Sequence, residues 1–552
     1  MIRLRPWQEE ALQKSLDWLL TKRADKHFLI NAAPGAGKTI AACSIANALL
    51  GRDAIERVIV IAPRAEVVNQ WANDFHQVTR RAMIKVTSAD GDIGNLGIDI
   101  CATWAAIQGL NSQFKQICQT SKTLLICDEH HHAAVQAAWG SSADSAFFDA
   151  AFVLVLTGTP IRSDGKKSVW LAYDDEGAIA HPEDGTYTLT YGTAVELEYC
   201  RPVTFHRHEG HFNVDLEDGE FINVSSKKPA ELSPDLKRVP GLQSALNFYR
   251  LACTPLYEKD GKTPLASGYQ ATMVDYASHR LDEIRDRMPE AGGLVIAPSI
   301  EIARYFVALI ELLENETPIL VHSQMPSADS KIDAFRKSNK RWLVSVAMVS
   351  EGVDIPRLRV LVYLSSALTE LAFRQAIGRI VRTFGPDDDT HAHVVMPSFE
   401  ILEAFALKVE EEMSSAARAD PRPPTKKRCP VCHAECERTA ENCENCGYQF
   451  PKRQTKTKKC ANCQHESPLS ARKCQNCGHS FVAQFHLTLE EALRTGVIVR
   501  GMDIDEDEAR EGEEIAAEVR EKILKSGDEK LLRILRTLPE ASWARLKNIM
   551  ER

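Results

Sequence analysis

Long apolar runs are absent from this chain of 552 residues. No segment approaches the roughly 20 apolar residues that a membrane-spanning helix needs. The densest apolar cluster, residues 150–156, has only the length of a strand. The first ten residues, MIRLRPWQEE, are charged from the third position and lack the apolar core of a secretory signal. We therefore expect a cytoplasmic protein that does not engage a membrane.

Cysteine is scarce in the first 428 residues, which hold six of the 15 cysteines, whereas residues 429–477 hold nine. In a cytosolic chain, such clustered pairs indicate metal ligands rather than disulfides. Hydrophobic residues make up 44% of the chain and charged residues 26%, which excludes fibrous, collagen-like and wholly disordered proteins. The length predicts three or four domains.

The net charge of −9 conceals two segments of opposite sign. Residues 421–479 contain 12 Lys and Arg against 5 Asp and Glu, whereas residues 502–521 contain 10 acidic residues against 2 Arg. The basic segment indicates an anionic partner. The acidic stretch 503–514 is either a solvated spacer or a phosphate mimic that competes for the basic segment.

Short apolar runs alternate with amphipathic stretches in two parts of the chain. Buried parallel strands with crossover helices have this pattern. The predicted strands lie at residues 28–34, 58–63, 124–129 and 152–160, and again at 292–299, 317–323, 342–348 and 359–366. Residues 201–290 have weaker strand signals and are predicted to be a connector or insertion.

Residues 32–39 (AAPGAGKT) lie between an apolar strand and a helical run, which is the context of a phosphate-binding loop. Glycines let the backbone N–H groups curl around phosphates at a helix N-terminus. Lys38 is predicted to reach the β- and γ-phosphates of ATP, and the Thr39 hydroxyl to help hold Mg²⁺. The other predicted loop residues are Pro34, Gly35, Ala36 and Gly37.

Two acidic residues, Asp128 and Glu129, end the apolar strand LLIC. A carboxylate at this place can hold Mg²⁺, and its neighbour can polarise the attacking water. We assign the first role to Asp128 and the second to Glu129.

These residues belong to a series of motifs that resembles the superfamily 2 helicases and translocases, whose motor consists of two RecA-like domains. In chain order the motifs are RPWQ (5–8), the phosphate-binding loop, APR (62–64) with QW (70–71), ATW (102–104), DEHH (128–131), TGTP (157–160), MVSEGVDIP (348–356) and QAIGRIVR (375–382). The stretches SEGVDIP and GLVIAPS are more similar to the type III restriction-subunit and XPB-like group than to DEAD-box RNA helicases. That group acts mainly on double-stranded DNA.

The resemblance implies roles for further residues. Gln8 is expected to contact adenine. Arg379 and Arg382 lie about one helical turn apart and are expected to reach across the cleft as arginine fingers. The remaining implied assignments are strand contacts by Arg64 and Thr103, a link from His131 to Gln375, and nucleotide contacts by Gly352 and Asp354.

The spacing Cys-x2-Cys-x10-Cys-x2-Cys occurs twice, with the second copy 31 residues after the first. Four thiolates arranged as two knuckles are typical of structural zinc, with no open position for catalysis. His433 and Cys436 have no counterpart in the second copy, so we exclude both as ligands. The predicted zinc ligands are Cys429, Cys432, Cys443 and Cys446, and then Cys460, Cys463, Cys474 and Cys477.

Basic residues flank both cysteine repeats: Lys426, Lys427 and Arg428 before the first, and Lys458 and Lys459 before the second. They either offset the negative charge of the zinc–thiolate groups or contact phosphates. A motor followed by cysteine-rich ribbons also resembles the bacterial DNA-repair helicases of the RadD type, although the acidic segment departs from that pattern.

We predict an α/β protein with two RecA-like parallel-sheet domains, small C-terminal tandem zinc ribbons and a helical tail. The predicted boundaries are residues 1–200 (ATP-binding domain), 201–290 (connector or insertion), 291–405 (second RecA-like domain), 406–428 (linker), 429–481 (ribbons) and 482–552 (acidic segment and helices).

The predicted activity is that of a DNA-stimulated ATPase acting as a helicase or translocase. Its cofactors are ATP, magnesium and two structural zinc ions, and DNA is its predicted partner. An RNA helicase is one alternative. Another is an ATP-gated interaction protein that separates no strands and binds a protein through the ribbons or the C-terminal helices.

Overall fold

The computed structural model describes residues 3–494 with gaps, and beyond residue 494 only residues 499 and 502. The gaps are residues 64, 88–89, 91, 94–98, 130–137, 159–169, 172–178, 217–220, 227, 229, 235, 239–241, 323–324, 326–327, 347–354, 384–387, 389, 416, 419–425, 451–456, 461, 469–470, 472 and 479–483. The acidic segment 503–514 and the predicted terminal helices lie outside the described residues. Among those described, no helix combines the length and the apolar character needed to cross a membrane.

The N-terminal domain is built on a parallel sheet whose strands are β1 (His27–Ala32), β2 (Arg57–Ala62), β3 (Met83–Val86), β4 (Asp99–Thr103), β5 (Thr123–Cys127), β6 (Phe152–Thr157) and β7 (Thr186–Leu189). They lie in the order β3-β4-β2-β5-β6-β1-β7. The strands that carry the phosphate-binding loop and the acidic pair, β1 and β5, are separated only by β6. Because parallel strands end at the same edge, the sheet brings the two motifs together.

Helices cover both faces of this sheet. The helices are α1 (Pro6–Leu16), α2 (Lys38–Leu50), α3 (Ala65–Thr79), α4 (Trp104–Thr120), α5 (Ala138–Phe147) and α6 (Tyr191–Glu196). Along β1, Phe28 and Ile30 join the core that contains α1 and α2, whereas Leu29 joins the core that contains α4 and α5. Burial on both faces explains why the strands are continuous apolar runs rather than alternating ones.

A second parallel sheet follows, next to a small hairpin. The strands of this region are β8 (Val203–His208), β9 (His211–Asp215), β10 (Phe221–Ser225), β11 (Gly292–Ile296), β12 (Ile319–Val321), β13 (Trp342–Ser345), β14 (Leu358–Tyr363) and β15 (Ala392–Pro397). The second sheet has the order β12-β13-β11-β14-β15-β8. Its helices and those of the hairpin region are α7 (Leu242–Ala245), α8 (Phe248–Cys253), α9 (Tyr269–Arg285), α10 (Ile300–Glu314), α11 (Ala328–Lys337), α12 (Glu370–Ile380) and α13 (Glu400–Glu412).

The predicted connector, residues 201–290, supplies part of the second sheet. Its strand β8 pairs in parallel with β15 from Val203 to His208. The strand signal is weak because polar residues alternate along β8, where Thr204, His206 and His208 are only partly buried. As an edge strand, β8 pairs on one side only. An edge position tolerates such a sequence better than a central one.

The C-terminal part contains two short hairpins and a returning strand. The elements are β16 (Lys426–Arg428), β17 (Glu435–Glu437), β18 (Thr457–Lys459), β19 (Glu466–Pro468), β20 (Gln484–Thr488) and α14 (Leu489–Arg494). β20 pairs in parallel with β9, so the chain returns after the cysteine repeats to the hairpin beside the second sheet. The two parallel α/β sheets and the four-cysteine modules that follow them confirm the predicted fold class.

Candidate functional site

The phosphate-binding loop runs from the end of β1 to the start of α2. Its backbone is left-handed at Gly35 (φ 84°) and Gly37 (φ 100°), a conformation that residues with a Cβ atom rarely adopt. Lys38 Nζ donates to the carbonyl oxygen of Ala32 at 2.9 Å. A Cβ atom at Gly158, just after β6, would lie only 2.8 Å from that Nζ. The loop thus presents a helix N-terminus and an ammonium group together, which suits a bound phosphate.

The acidic pair stands directly after β5. Asp128 Oδ2 accepts a hydrogen bond from Trp71 Nε1 at 2.8 Å. Burial, reinforced by the charge of Glu129, raises the pKa of Asp128 to about 6, against the lowering effects of Trp71 and Lys38. Glu129 has a left-handed backbone (φ 50°), which is uncommon for a non-glycine residue and concentrates at functional sites. A positive ion at this position would relieve the electrostatic cost of the paired carboxylates.

The second domain contributes α12, which carries Gln375 and Arg379 and is followed by Arg382. The helix packs directly on the phosphate-binding loop, because a Cβ atom at Gly378 would lie 2.5 Å from Pro34 Cβ. Arg382 crosses to the first domain, where its Cγ lies 2.8 Å from the place of a Cβ atom at Gly35. Its Nε also donates to the carbonyl oxygen of Gly378 at 3.3 Å. The arginine-bearing helix therefore lies on the loop predicted to hold ATP.

A cavity of about 380 Å³ lies between the two domains. The predicted site residues that line it come from both domains and are Pro34, Gly35, Gly37, Lys38, Thr39, Asp128, Glu129, Gln375, Arg379 and Arg382. Oxygen donors from Thr39 and Asp128 suit Mg²⁺, which prefers oxygen ligands. The cavity therefore brings together the predicted phosphate-binding loop, the acidic pair and three guanidinium groups, one of which is that of Arg5.

Gln8 is buried beside this cavity. Its Oε1 accepts from the backbone N–H of Arg5 at 2.8 Å, and its Nε2 donates to the carbonyl oxygen of Gly37 at 3.0 Å. Arg5 itself lines the cavity and donates to the carbonyl oxygen of Ala36 at 2.9 Å. The Arg5 guanidinium also lies 4.9 Å from the ring centre of Tyr199. These contacts join the start of α1 to the phosphate-binding loop, while the adenine contact of Gln8 stays a prediction.

Of the remaining contacts predicted for the motor, Thr103 is the one that falls among the described residues. Thr103 is buried at the end of β4, where the N-terminus of α4 begins. Arg64, His131, Gly352 and Asp354 lie outside the described residues. Their roles stay predictions.

Sequence reasoning missed the partner of Asp128. Trp71 belongs to a quoted motif, but nothing local indicates that its ring N–H reaches a carboxylate 57 residues further along the chain. The apposition of Pro34 and Gly378 was missed for the same reason. In each case only the folded chain brings the two partners together.

The eight predicted cysteines form two separate groups, each with its four sulfur atoms within 4.8 Å of one another. We call residues 426–450 ribbon 1 and residues 457–478 ribbon 2. In ribbon 1, the Sγ atoms of Cys429 and Cys446, and of Cys432 and Cys443, are 3.5 Å apart. In ribbon 2 the corresponding distances are 3.6 and 3.5 Å. Tetrahedral zinc with Zn–S bonds of about 2.3 Å places sulfurs about 3.8 Å apart, so both groups fit zinc.

The knuckles of the two ribbons share their backbone conformation. His433 and Gln464 are both left-handed with φ 58°, and Gly447 and Gly478 are left-handed with φ 74° and 69°. Each of these four residues donates its backbone N–H to a cysteine carbonyl four residues earlier, at 2.8–3.0 Å. The two ribbons are therefore small zinc-binding modules of one design.

The basic residues of ribbon 1 are not equivalent to one another. The Lys427 ammonium lies 3.8 Å from the ring centre of Phe450 and donates to the carbonyl oxygen of Ala440 at 2.5 Å. Arg428 Nε donates to the carbonyl oxygen of His433 at 3.3 Å. Lys426 is exposed, as is Lys459 of ribbon 2. The side chain of Lys458 lies outside the described residues.

Ribbon 1 is attached to the second domain. Arg438 Nε donates to Asp286 Oδ2 at 3.0 Å, and Asp286 is only 5% exposed at the end of α9. The backbone N–H of Arg428 donates to the carbonyl oxygen of the same aspartate. Both contacts lie within a few residues of a predicted zinc ligand. Ribbon 1 therefore contacts the second domain through both a side chain and the backbone.

Two family models match the motor. The model of the type III restriction enzyme res subunit matches residues 1–162, and that of the helicase conserved C-terminal domain matches residues 279–384. An uncharacterized protein of Mycobacterium leprae is 33% identical over 418 residues, which are 74% of this chain and 64% of that protein. The chain thus spans just under two thirds of this relative.

The DNA 3'-5' translocase XPB2 of Sulfurisphaera tokodaii is 21% identical over 392 residues, which are 69% of this chain and 79% of the translocase. Among solved structures, the fragment structure of a putative HsdR subunit of a type I restriction enzyme from Vibrio vulnificus has 18% identity and a TM-score of 0.48. It covers 76% of this chain and 67% of that chain.

The chain thus combines the two domains of a superfamily 2 helicase, the first matching the type III restriction enzyme res subunit and the second the helicase conserved C-terminal domain. It is distantly similar to XPB2, and two four-cysteine modules follow the helicase domains.

Proposed function

We propose that this ATPase is stimulated by DNA and uses ATP hydrolysis to move along or remodel it. The interdomain cavity carries the proposal. It joins Lys38 and Glu129 of the first domain to Arg379 of the second. Because the cavity is complete only when both domains contribute, hydrolysis is coupled to the relative position of the domains.

The residues that line the cavity have different roles in phosphoryl transfer. Lys38 binds the β- and γ-phosphates, and Glu129 orients the attacking water. Arg379 and Arg382 stabilise the charge that develops on the transferred phosphoryl group. Mg²⁺, for which Thr39 and Asp128 offer oxygen ligands, supplies positive charge against the phosphates when it is bound.

We favour DNA over RNA as the nucleic acid on which the protein acts. The printed activity of the relative from Sulfurisphaera tokodaii is DNA translocation. The exposed basic residues Lys426 and Lys459 precede the metal ligands of the two ribbons, where they can reach phosphates. Zinc is the metal that we propose for both ribbons, because four closely spaced thiolates select it over oxygen-preferring cations.

The test is the steady-state ATPase rate of the full, zinc-loaded chain, measured alone and with duplex, single-stranded or forked DNA, or with RNA. We expect DNA to stimulate the rate and Glu129→Gln to abolish the stimulated rate. Stimulation by RNA alone would instead identify an RNA helicase. No stimulation by any nucleic acid would contradict the proposal and favour an ATP-gated interaction protein.

A matched pair of variants on α12 tests the arginine assignment. Arg379→Ala removes a guanidinium that lines the cavity. Arg374→Ala removes one on the same helix that instead pairs with Glu370 at 2.9 Å and Glu412 at 2.7 Å. We expect kcat to fall by about 10³-fold or more in the first variant. The second should keep a rate close to the wild-type rate, and equal losses would contradict the assignment.

A further inference from the structure

The connection between the two RecA-like domains runs along the end of the arginine-bearing helix. It leaves α6 of the first domain and enters β8 of the second. Cys200 forms an isolated antiparallel bridge with Arg382, and the backbone N–H of Arg201 donates to the carbonyl oxygen of Val381 at 2.8 Å. The Cys200 thiol also donates to the carbonyl oxygen of Pro34 at 3.3 Å. The connection therefore contacts α12 and the phosphate-binding loop at once.

The side chain of Arg201 is buried at this place, with an exposed fraction of 1%. Its guanidinium donates to the carbonyl oxygens of Ile380 at 3.0 Å and of Arg382. It also donates to the carbonyl oxygen of Leu358 on β14 at 3.1 Å and pairs with the carboxylate of Asp388. One side chain thus joins the central sheet, the end of α12 and a buried acid.

The contacts of Arg201 satisfy groups that the helix itself leaves unpaired. The last carbonyls of an α-helix have no partner within the helix, and a cationic side chain near them is favourable. A guanidinium presents its donors in a rigid fork, so it can hold several acceptors in one arrangement. Here the guanidinium of Arg201 holds the carbonyl oxygens of Ile380 and Arg382, the residues on either side of Val381.

We propose that Arg201 is a positioning residue that fixes the end of α12 and so places Arg382 across the cleft for ATP hydrolysis. The inference rests on the role proposed above for Arg379 and Arg382. Arg201 does not line the interdomain cavity among the described residues. It therefore acts through the helix that carries the arginine fingers.

Arg201→Lys tests this proposal, because lysine keeps the positive charge but lacks the rigid, forked set of donors of a guanidinium. Arg357→Lys is the matched control. Arg357 is also buried in the second domain, at 3% exposure, but it donates to the carbonyl oxygens of Phe335, Lys340 and Glu290. For Arg201→Lys we expect kcat to fall on the order of 10²-fold, because a small displacement of a catalytic group has this effect.

The affinity for two nucleotide complexes separates positioning from general damage. Arg201→Lys should bind ADP within about twofold of the wild type and bind ADP with aluminium fluoride much more weakly. Arg357→Lys should lower the melting temperature comparably and leave kcat and both affinities near those of the wild type. If the two variants lose kcat equally, or if Arg201→Lys weakens ADP and the aluminium fluoride complex alike, the proposal is wrong.

Two further variants keep the result interpretable. Asp388→Asn leaves Arg201 in place and weakens its buried ion pair, and we expect the same selective loss of kcat if Arg201→Lys does not fold. Arg382→Ala tests the finger itself. Wild-type kcat in Arg382→Ala would overturn the finger assignment, whereas a loss in Arg382→Ala without one in Arg201→Lys would overturn only the positioning role.

Discussion

Ribbon 1 and ribbon 2 have the same metal site but not the same attachment to the motor. Their four sulfur atoms and their left-handed knuckle residues correspond one to one, as the 31-residue repeat requires. Arg438 joins ribbon 1 to Asp286, and the equivalent position in ribbon 2 is Leu469, which cannot form an ion pair. Metal binding is thus a property that the repeat conserves in both copies, whereas the ion pair to the second domain depends on Arg438, which the second copy lacks.

The largest expected effect comes from removing one zinc ligand in each ribbon. A structural zinc contributes on the order of 10 kcal/mol to the folding of its module, so Cys443→Ser and Cys474→Ser should each reduce the zinc content from two ions to one. Cys443→Ser should also lower the melting temperature of the motor, because ribbon 1 holds Asp286. Zinc release to a chromophoric chelator and differential scanning fluorimetry measure the two effects. Equal melting temperatures in the two variants would contradict the difference in attachment.

Arg438→Leu gives ribbon 1 the leucine that ribbon 2 has at the equivalent position, Leu469. We expect a loss of about 1.5–3 kcal/mol of local stability, the usual contribution of a hydrogen bond between charged groups, with both zinc ions retained. Faster amide hydrogen exchange in residues 428–438 is the measurement. The control is Lys426→Ala, which removes an exposed ion pair between Lys426 and Glu435, 3.6 Å apart. Such a pair contributes about 0–1 kcal/mol, and an equal change in exchange would remove the special role of Arg438.

Arg428 and Lys459 occupy equivalent positions in the two ribbons. Substituting each of them therefore compares the contributions of the two ribbons to DNA binding. Lys459→Ala should reduce the slope of log affinity against log salt by about 0.9, the loss of one phosphate contact. Arg428→Ala should change the slope less, because the Arg428 side chain already donates to His433. Fluorescence anisotropy at several salt concentrations measures both. Unchanged slopes would mean that these residues only offset the charge of the zinc–thiolate groups.

Cys436→Ser gives the smallest expected effect. Cys436 and its counterpart Ser467 are both buried, so the substitution gives ribbon 1 the side chain that ribbon 2 has at the same position. We expect two zinc ions per chain and a stability change below about 1 kcal/mol, as for a small change of side chain without a lost ligand. A chain that binds one zinc ion would identify Cys436 as a ligand.

The sequence was sufficient for those parts of the site that are local. The phosphate-binding loop, the acidic pair and both cysteine repeats are contiguous motifs, and parallel strands bring the first two to one edge. The contacts of Trp71, Arg201 and Arg438 were not predictable, because each partner lies far away in the chain. The place of β8 in the second sheet was not predicted, because its polar residues suit an edge, and edge position is a property of the sheet rather than of the strand.

The parallel pairing of β20 with β9 makes the two ribbons a loop that is closed at both ends on the motor. On the near side, ribbon 1 is held by Asp286. On the far side, the six residue steps from Gly478 to Gln484 span at most about 22 Å. The ribbons are therefore held close to the second domain, and a molecule bound to them would move together with that domain.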